Sequence, residues 1–109
     1  MQCTVQSADR TFFDGEAVMV VARSERGEFA VMEGHAPLLS ALRSGPLRVQ
    51  TAESEQVFAC FGGTLRVTES ADVAVLVEDA VPVDEITAAL EGASDDRKQF
   101  LQSIAETYG

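Results

Sequence analysis

Tryptophan is absent from this chain, tyrosine occurs once, and aromatic residues make up only 6% of it. With so few large rings, packing falls to Val, Ala and Leu, which suits thin layers better than a deep ligand cavity. Histidine occurs once, as His35, and cysteine twice, as Cys3 and Cys60. Two thiols cannot staple a secreted disulfide scaffold, and each lies in a strand-like segment, where a buried reduced thiol is expected. Positions 3, 35 and 60 have neither CxxC nor HxxxH spacing, so no metal site is expected. No run approaches the ~20 consecutive apolar residues of a membrane span. The opening "MQCTVQSADRTF" has no basic stretch leading into an apolar one, as a signal peptide would, and it is not Arg-rich and acid-poor like a transit sequence. A soluble, cytoplasmic chain is expected.

Positive charge is also scarce. Eight basic residues against eighteen acidic ones leave a formal net charge of −10. Such a surface repels phosphate backbones and anionic headgroups, so nucleic acid and membrane lipid are excluded as partners and a basic protein surface is expected instead. Catalytic signatures are missing too: there is no GxSxG, P-loop, EF-hand or GxGxxG. His35 has no second histidine and no adjacent nucleophile to work with as a general base. It sits between a Gly and Ala-Pro, where one local hydrogen bond from the ring fixes a turn. Gly62-Gly63 leads into the strand-like "TLRVT" and not into a helix, so it reads as a tight turn or close backbone packing and not as a phosphate cradle. The chain is expected to be no enzyme and to hold no cofactor.

What remains is mostly strand. Hydrophobic residues are 46% of 109, enough for one packed domain. From residue 2 to 83, short strand-like runs alternate with turn signals, the pattern of an antiparallel β-sandwich. "QCTVQSA" is followed by a turn at Asp14-Gly15 and then by "EAVMVVA"; "RSERG" separates that strand from "EFAVM". "PLRVQT" puts Leu47 and Val49 on one face and Arg48 and Gln50 on the other. "QVFACF" and "TLRVT" flank a Gly62-Gly63 break, with Leu65 and Val67 inward and Arg66 outward. "DVAVLVE" is apolar almost throughout and reads as a strand covered on both sides. After Pro82 the period changes. Asp84 is placed to cap a short helix with Ile86, Ala89 and Leu90 on one face, and Gly92 to stop it. Ser94 or Asp95 then caps a second helix whose stripe is Phe100, Leu101, Ile104, Ala105 and Tyr108. So short a helix cannot persist alone in water and must lie on the sandwich, its sister helix or a partner. The expected division is a β-sandwich over 1–83 and a short helical hairpin over 84–109.

Three stretches carry a family resemblance: "GEFAVMEGHAPLLSALRSGPLRV" (27–49), "FGGTLRVTES" and "VAVLVEDAV", with "FFDGEAVMVV" matching the usual opening. Over about residues 1–86 the chain resembles the epsilon subunit of bacterial F-type, rotary ATP synthases. That resemblance implies a β-sandwich at the foot of the central stalk, packed on the gamma subunit and on the c-ring, coupling proton flow to ATP synthesis from the cytoplasmic face of the bacterial membrane. It implies Glu28, Glu33 and His35 at the c-ring and Leu38, Leu39 and Leu42 at the core or at gamma, with a C-terminal helix that could reach alpha or beta. Against the family pattern, Glu33 stands for a usual Pro, Ala30 for Gly and Arg66 for Glu. The family's nucleotide-sensing members carry an Asp and an Arg where Thr87 and Leu90 stand here. The short hairpin, whose second helix offers only Arg97 and Lys98 as cations, implies a reduced inhibitory role. The alternatives are a nucleotide-sensing inhibitor acting through the helices and a free-standing ligand-binding sandwich.

Overall fold

A computed structural model describes residues 1–108. Eight strands come first: β1 Gln2–Gln6, β2 Thr11–Glu16, β3 Met19–Ser24, β4 Gly27–Met32, β5 Leu38–Gln50, β6 Glu55–Val67, β7 Val73–Val77 and β8 Ala80–Pro82. A 3-10 turn, Val83–Glu85, leads into the one-turn helix α1, Ile86–Ala89, and then α2, Asp95–Tyr108. The strands hydrogen-bond in the order β2-β1-β7-β6-β5-β3-β4, with β8 also on β6; β1 and β7 run parallel and the other pairs antiparallel.

The two 13-residue strands organise everything else. They pair in one register from Leu38↔Val67 to Gln50↔Glu55. Yet β6 takes β8 as its other neighbour at Phe58–Cys60 and β7 at Gly63–Val67, while β5 meets β3 only at Arg48–Gln50. One hairpin therefore runs through both layers of a sandwich. Its inward side chains change parity on the way: Leu38 and Leu42, then Leu47 and Val49 on β5; Phe58 and Cys60, then Leu65 and Val67 on β6. The switch on β6 is at Gly62 (φ +95°) and Gly63 (φ +140°), a backbone region open to glycine and strained for other residues. A Cβ on Gly63 would also lie 2.1 Å from the Leu76 carbonyl oxygen. The glycine pair is thus close backbone packing inside a continuous strand, and the expected strand break there is corrected.

Three other expectations are corrected. Asp14 and Gly15 lie within β2, opposite Thr4 and Cys3. The turn comes earlier, where Ser7 N–H donates to the Arg10 carbonyl (2.8 Å) and the Ser7 hydroxyl to Asp9 (3.1 Å). The stretch 38–45, which precedes the strand read in "PLRVQT", belongs to the same strand. Pro46 is tolerated because β3 has not yet joined β5 there, so its missing N–H disrupts no second ladder. On β7, Val73, Val75 and Val77 are buried but Ala74 and Leu76 are exposed, so this strand is covered on one face only. Asp84 makes no capping bond; it sits inside the 3-10 turn that follows Pro82.

The helical expectations fare better. Gly92 (φ +74°) ends the first helical segment, and the Ser94 hydroxyl accepts from Arg97 N–H at 3.4 Å, which makes Ser94 the cap. Leu101 and Ile104 are buried with Ile86 against Ala59 and Val81, so α2 covers the layer that contains β8 and the first half of β6. Burying each such side chain stabilises by about 1.5–3 kcal/mol. At its start, the Arg97 guanidinium stacks 4.0 Å over Phe61 and bonds Asp79, while Phe100 meets Phe61 edge-on at 5.0 Å. At its end, Tyr108 lies beside Arg48, which is held by Glu55 at 3.1 Å.

Gly63→Ala is expected to destabilise the protein by about 3 kcal/mol or more, because backbone must move to admit the methyl. Gly34→Ala, at φ +84° but in open space, should cost only about 1 kcal/mol. Paired urea melts check the contrast.

Candidate interaction surface

Because α2 covers one layer, the other presents a bare sheet face. Its rows follow from the register. Leu39 lies opposite Arg66, which lies opposite Ala74; Ala41 opposite Thr64, which lies opposite Leu76. All six are exposed, Leu39 to 72% and Leu76 to 52%. A large aliphatic side chain left out to that degree on a short-residue sheet has no role in the chain's own core.

The six residues singled out in the sequence separate by environment. Leu42 is 8% exposed and belongs to the core between the layers, so it offers no surface. Leu38 is half-buried against that core, and Leu39 alone of the three leucines stands free. Glu28 is exposed on β4 opposite Arg23, near one end of that strand. Glu33 and His35 occupy the turn after its other end. There, His35 N–H donates to the Met32 carbonyl (3.1 Å) and the ring Nδ1 donates to the Ala36 carbonyl (2.6 Å). A carbonyl only accepts, so Nδ1 carries the proton. The ring fixes the turn, as the Gly-His-Ala-Pro context implies. A groove lined by Ser24, Arg26, Phe29, His35, Leu38 and Leu39, among others, brings His35 together with half-buried Leu38 and exposed Leu39.

Sequence reasoning missed Ala74 and Leu76. The signal was present: valine alternates strictly with the other two residues in "VAVLV", and the β-branched set faces in.

Among the described residues no three His, Cys, Asp or Glu side chains gather as a metal site. Both thiols are free and buried. Burial pushes the Cys3 thiol up to about 12 and raises Cys60 as well, which keeps both in the unreactive protonated form at neutral pH.

Comparison with known proteins decides the family. Residues 1–83 match the β-sandwich domain of the ATP synthase delta/epsilon chain. The chain belongs to the ATP synthase delta/epsilon family. It is similar to the ATP synthase epsilon chain of Xanthomonas campestris, 38% identical over 109 residues, 98% of this chain and 77% of that one. It is also similar to the epsilon chain of Streptomyces griseus, 38% identical over 105 residues, 92% of this chain and 85% of that one. Its fold resembles a chain in the Tetrahymena thermophila mitochondrial ATP synthase central stalk and c-ring (TM-score 0.75, 12% identity, 95% of each chain). A chain of the Euglena gracilis mitochondrial enzyme is similar too (TM-score 0.71, 21% identity, 92% of this chain and 71% of that one). Membership makes this an epsilon-type, non-catalytic subunit of the central stalk.

In the folded epsilon-type chain, Cys3 and Cys60 should react with a thiol reagent at pH 8 at less than about one-hundredth of the rate seen in denaturant. Timed alkylation followed by mass measurement checks this.

Proposed function

We propose that this chain couples rotation in the central stalk by seating the gamma subunit on its bare sheet face and the c-ring on the β4–β5 turn. The observation that carries this reading is Leu39: it is 72% exposed on the one sheet face that α2 leaves open. Around it, Ala41, Thr64 and Ala74 are small, so a partner's backbone can approach closely. Leu76 gives a second apolar point on the same face. Glu33 and His35, on a turn braced by its own hydrogen bonds, present an acidic and an aromatic group at one end of the sandwich, with Glu28 near the other end of β4. Exposed charges of this kind are worth about 0–1 kcal/mol each, so they set register more than affinity.

Torque needs a stiff body, and a hairpin continuous through both layers supplies one. A rotor element whose two layers are joined by unbroken strands cannot shear between them without losing ladder bonds. The complex works at the cytoplasmic face of the bacterial membrane in this reading, with proton flow as the driving reaction; no helix of the described chain is long and apolar enough to cross a membrane. The inhibitory role of the C-terminal helix is reduced. Leu101 and Ile104 are buried in the body, and the one-turn α1 carries Thr87 where nucleotide-sensing members carry Asp.

Leu39→Asp should weaken binding of the full chain to gamma by about tenfold or more while leaving its melting temperature near wild type, since Leu39 contributes nothing to the core. Leu42→Ala should do the reverse, costing about 2–5 kcal/mol of stability. Unchanged gamma affinity in Leu39→Asp would remove this reading.

A further inference from the structure

We infer that the groove between β4 and the first half of β5 receives an extended segment of the gamma subunit in which carboxylates accompany apolar side chains. This rests on the proposed seating of gamma around Leu39 and specifies how that contact is made.

Two features of the backbone shape the groove. β4 pairs with β3 alone, and residues 38–42 pair with β6 alone. Each therefore keeps one unpaired edge, and the groove is lined from both, by Phe29 on β4 and by Leu38 and Leu39 on β5. Its volume is about 490 Å³. Ser24 and Arg26, at the tip of the β3–β4 hairpin, line one part, and His35, in the turn at the far end of β4, another. The groove thus passes Phe29 and Ala30, midway along β4, between residues placed at either end of that strand. Unpaired edges bind extended peptide by main-chain hydrogen bonds, and the pockets beside them select side chains.

The charge is opposite to that of the rest of the molecule. Eighteen carboxylate side chains are distributed over 109 residues, yet none lines this groove. Arg10, Arg43, Arg48 and Arg97 each have a carboxylate within ion-pair distance; Arg26 has none among the described residues. Arg66 adds a second such cation across the strand from Leu39. The net charge of −10 pointed to a basic partner. Locally the preference reverses: the groove offers an arginine, apolar walls and no competing carboxylate, so an acidic, apolar segment fits it.

Affinity of the full chain for gamma, measured at low and high salt, tests this. Arg26→Glu is expected to lose about tenfold at low salt, Arg26→Lys to retain most binding, and the difference to shrink at high salt. Lys98→Glu, the same charge change made on α2, should bind within about twofold of wild type. A photo-cross-linking residue at Ala30, on the groove wall, should capture gamma in the assembled complex. If wild type binds gamma but Arg26→Glu binds equally well, or Ala30 captures only the c-ring, the groove assignment is overturned while gamma seating stands. If wild type fails to bind gamma, both fall together.

Discussion

The β5–β6 pairing is the interaction on which the rest of the structure depends. Its register never slips, yet its side chains exchange faces at Gly62 and Gly63, which lets one hairpin line the same core from two layers. β7 can approach β6 only because Gly63 has no side chain beside the Leu76 carbonyl. β1 then depends on β7, and β2 on β1. On the other side, β3 adds to the second half of β5, and β4 to β3. Two adjacent glycines thus determine how two sheets are closed over one core.

From that closure comes an asymmetry of faces. Helix α2 covers one layer through Leu101 and Ile104, and Arg97 secures its start between Asp79 and Phe61. The other layer keeps its outward row of Leu39, Arg66 and Ala74 bare. A helix of 14 residues is marginal in water on its own, so its place on the sheet is set by packing. For a stalk subunit the consequence is economical: one side is internal, the other is available for neighbours, and no residue is required to do chemistry.

Much of this was legible in the residues. Alternation in "PLRVQT" and "TLRVT" identified Leu47, Val49, Leu65 and Val67 as inward because a half-buried strand imposes a period of two. The helical stripe and the Gly92 stop were readable for the same kind of reason. The failures were tertiary. Asp14-Gly15 has hairpin chemistry, but Ser7 and Asp9 made the turn first and left Gly15 opposite Cys3 in the ladder. The stretch 38–45 shows no strand pattern of its own; its strand character depends on β6 lying alongside. Leu38, Leu39 and Leu42 could not be divided from sequence, because the division depends on where β5 changes the parity of its inward side. The groove beside Leu39 was invisible for a related reason, since its walls come from strands whose free edges only the fold defines.

Stiffness through a shared hairpin is the central claim, and native-state hydrogen exchange tests it most directly. Amides of Val5 and Val75 sample one layer, and those of Val20 and Val49 the other. If the layers open only together, their opening free energies should agree within about 1 kcal/mol and equal the global unfolding value. Two distinct plateaus, with one layer exchanging well below global unfolding, would show that the layers separate and would contradict the account.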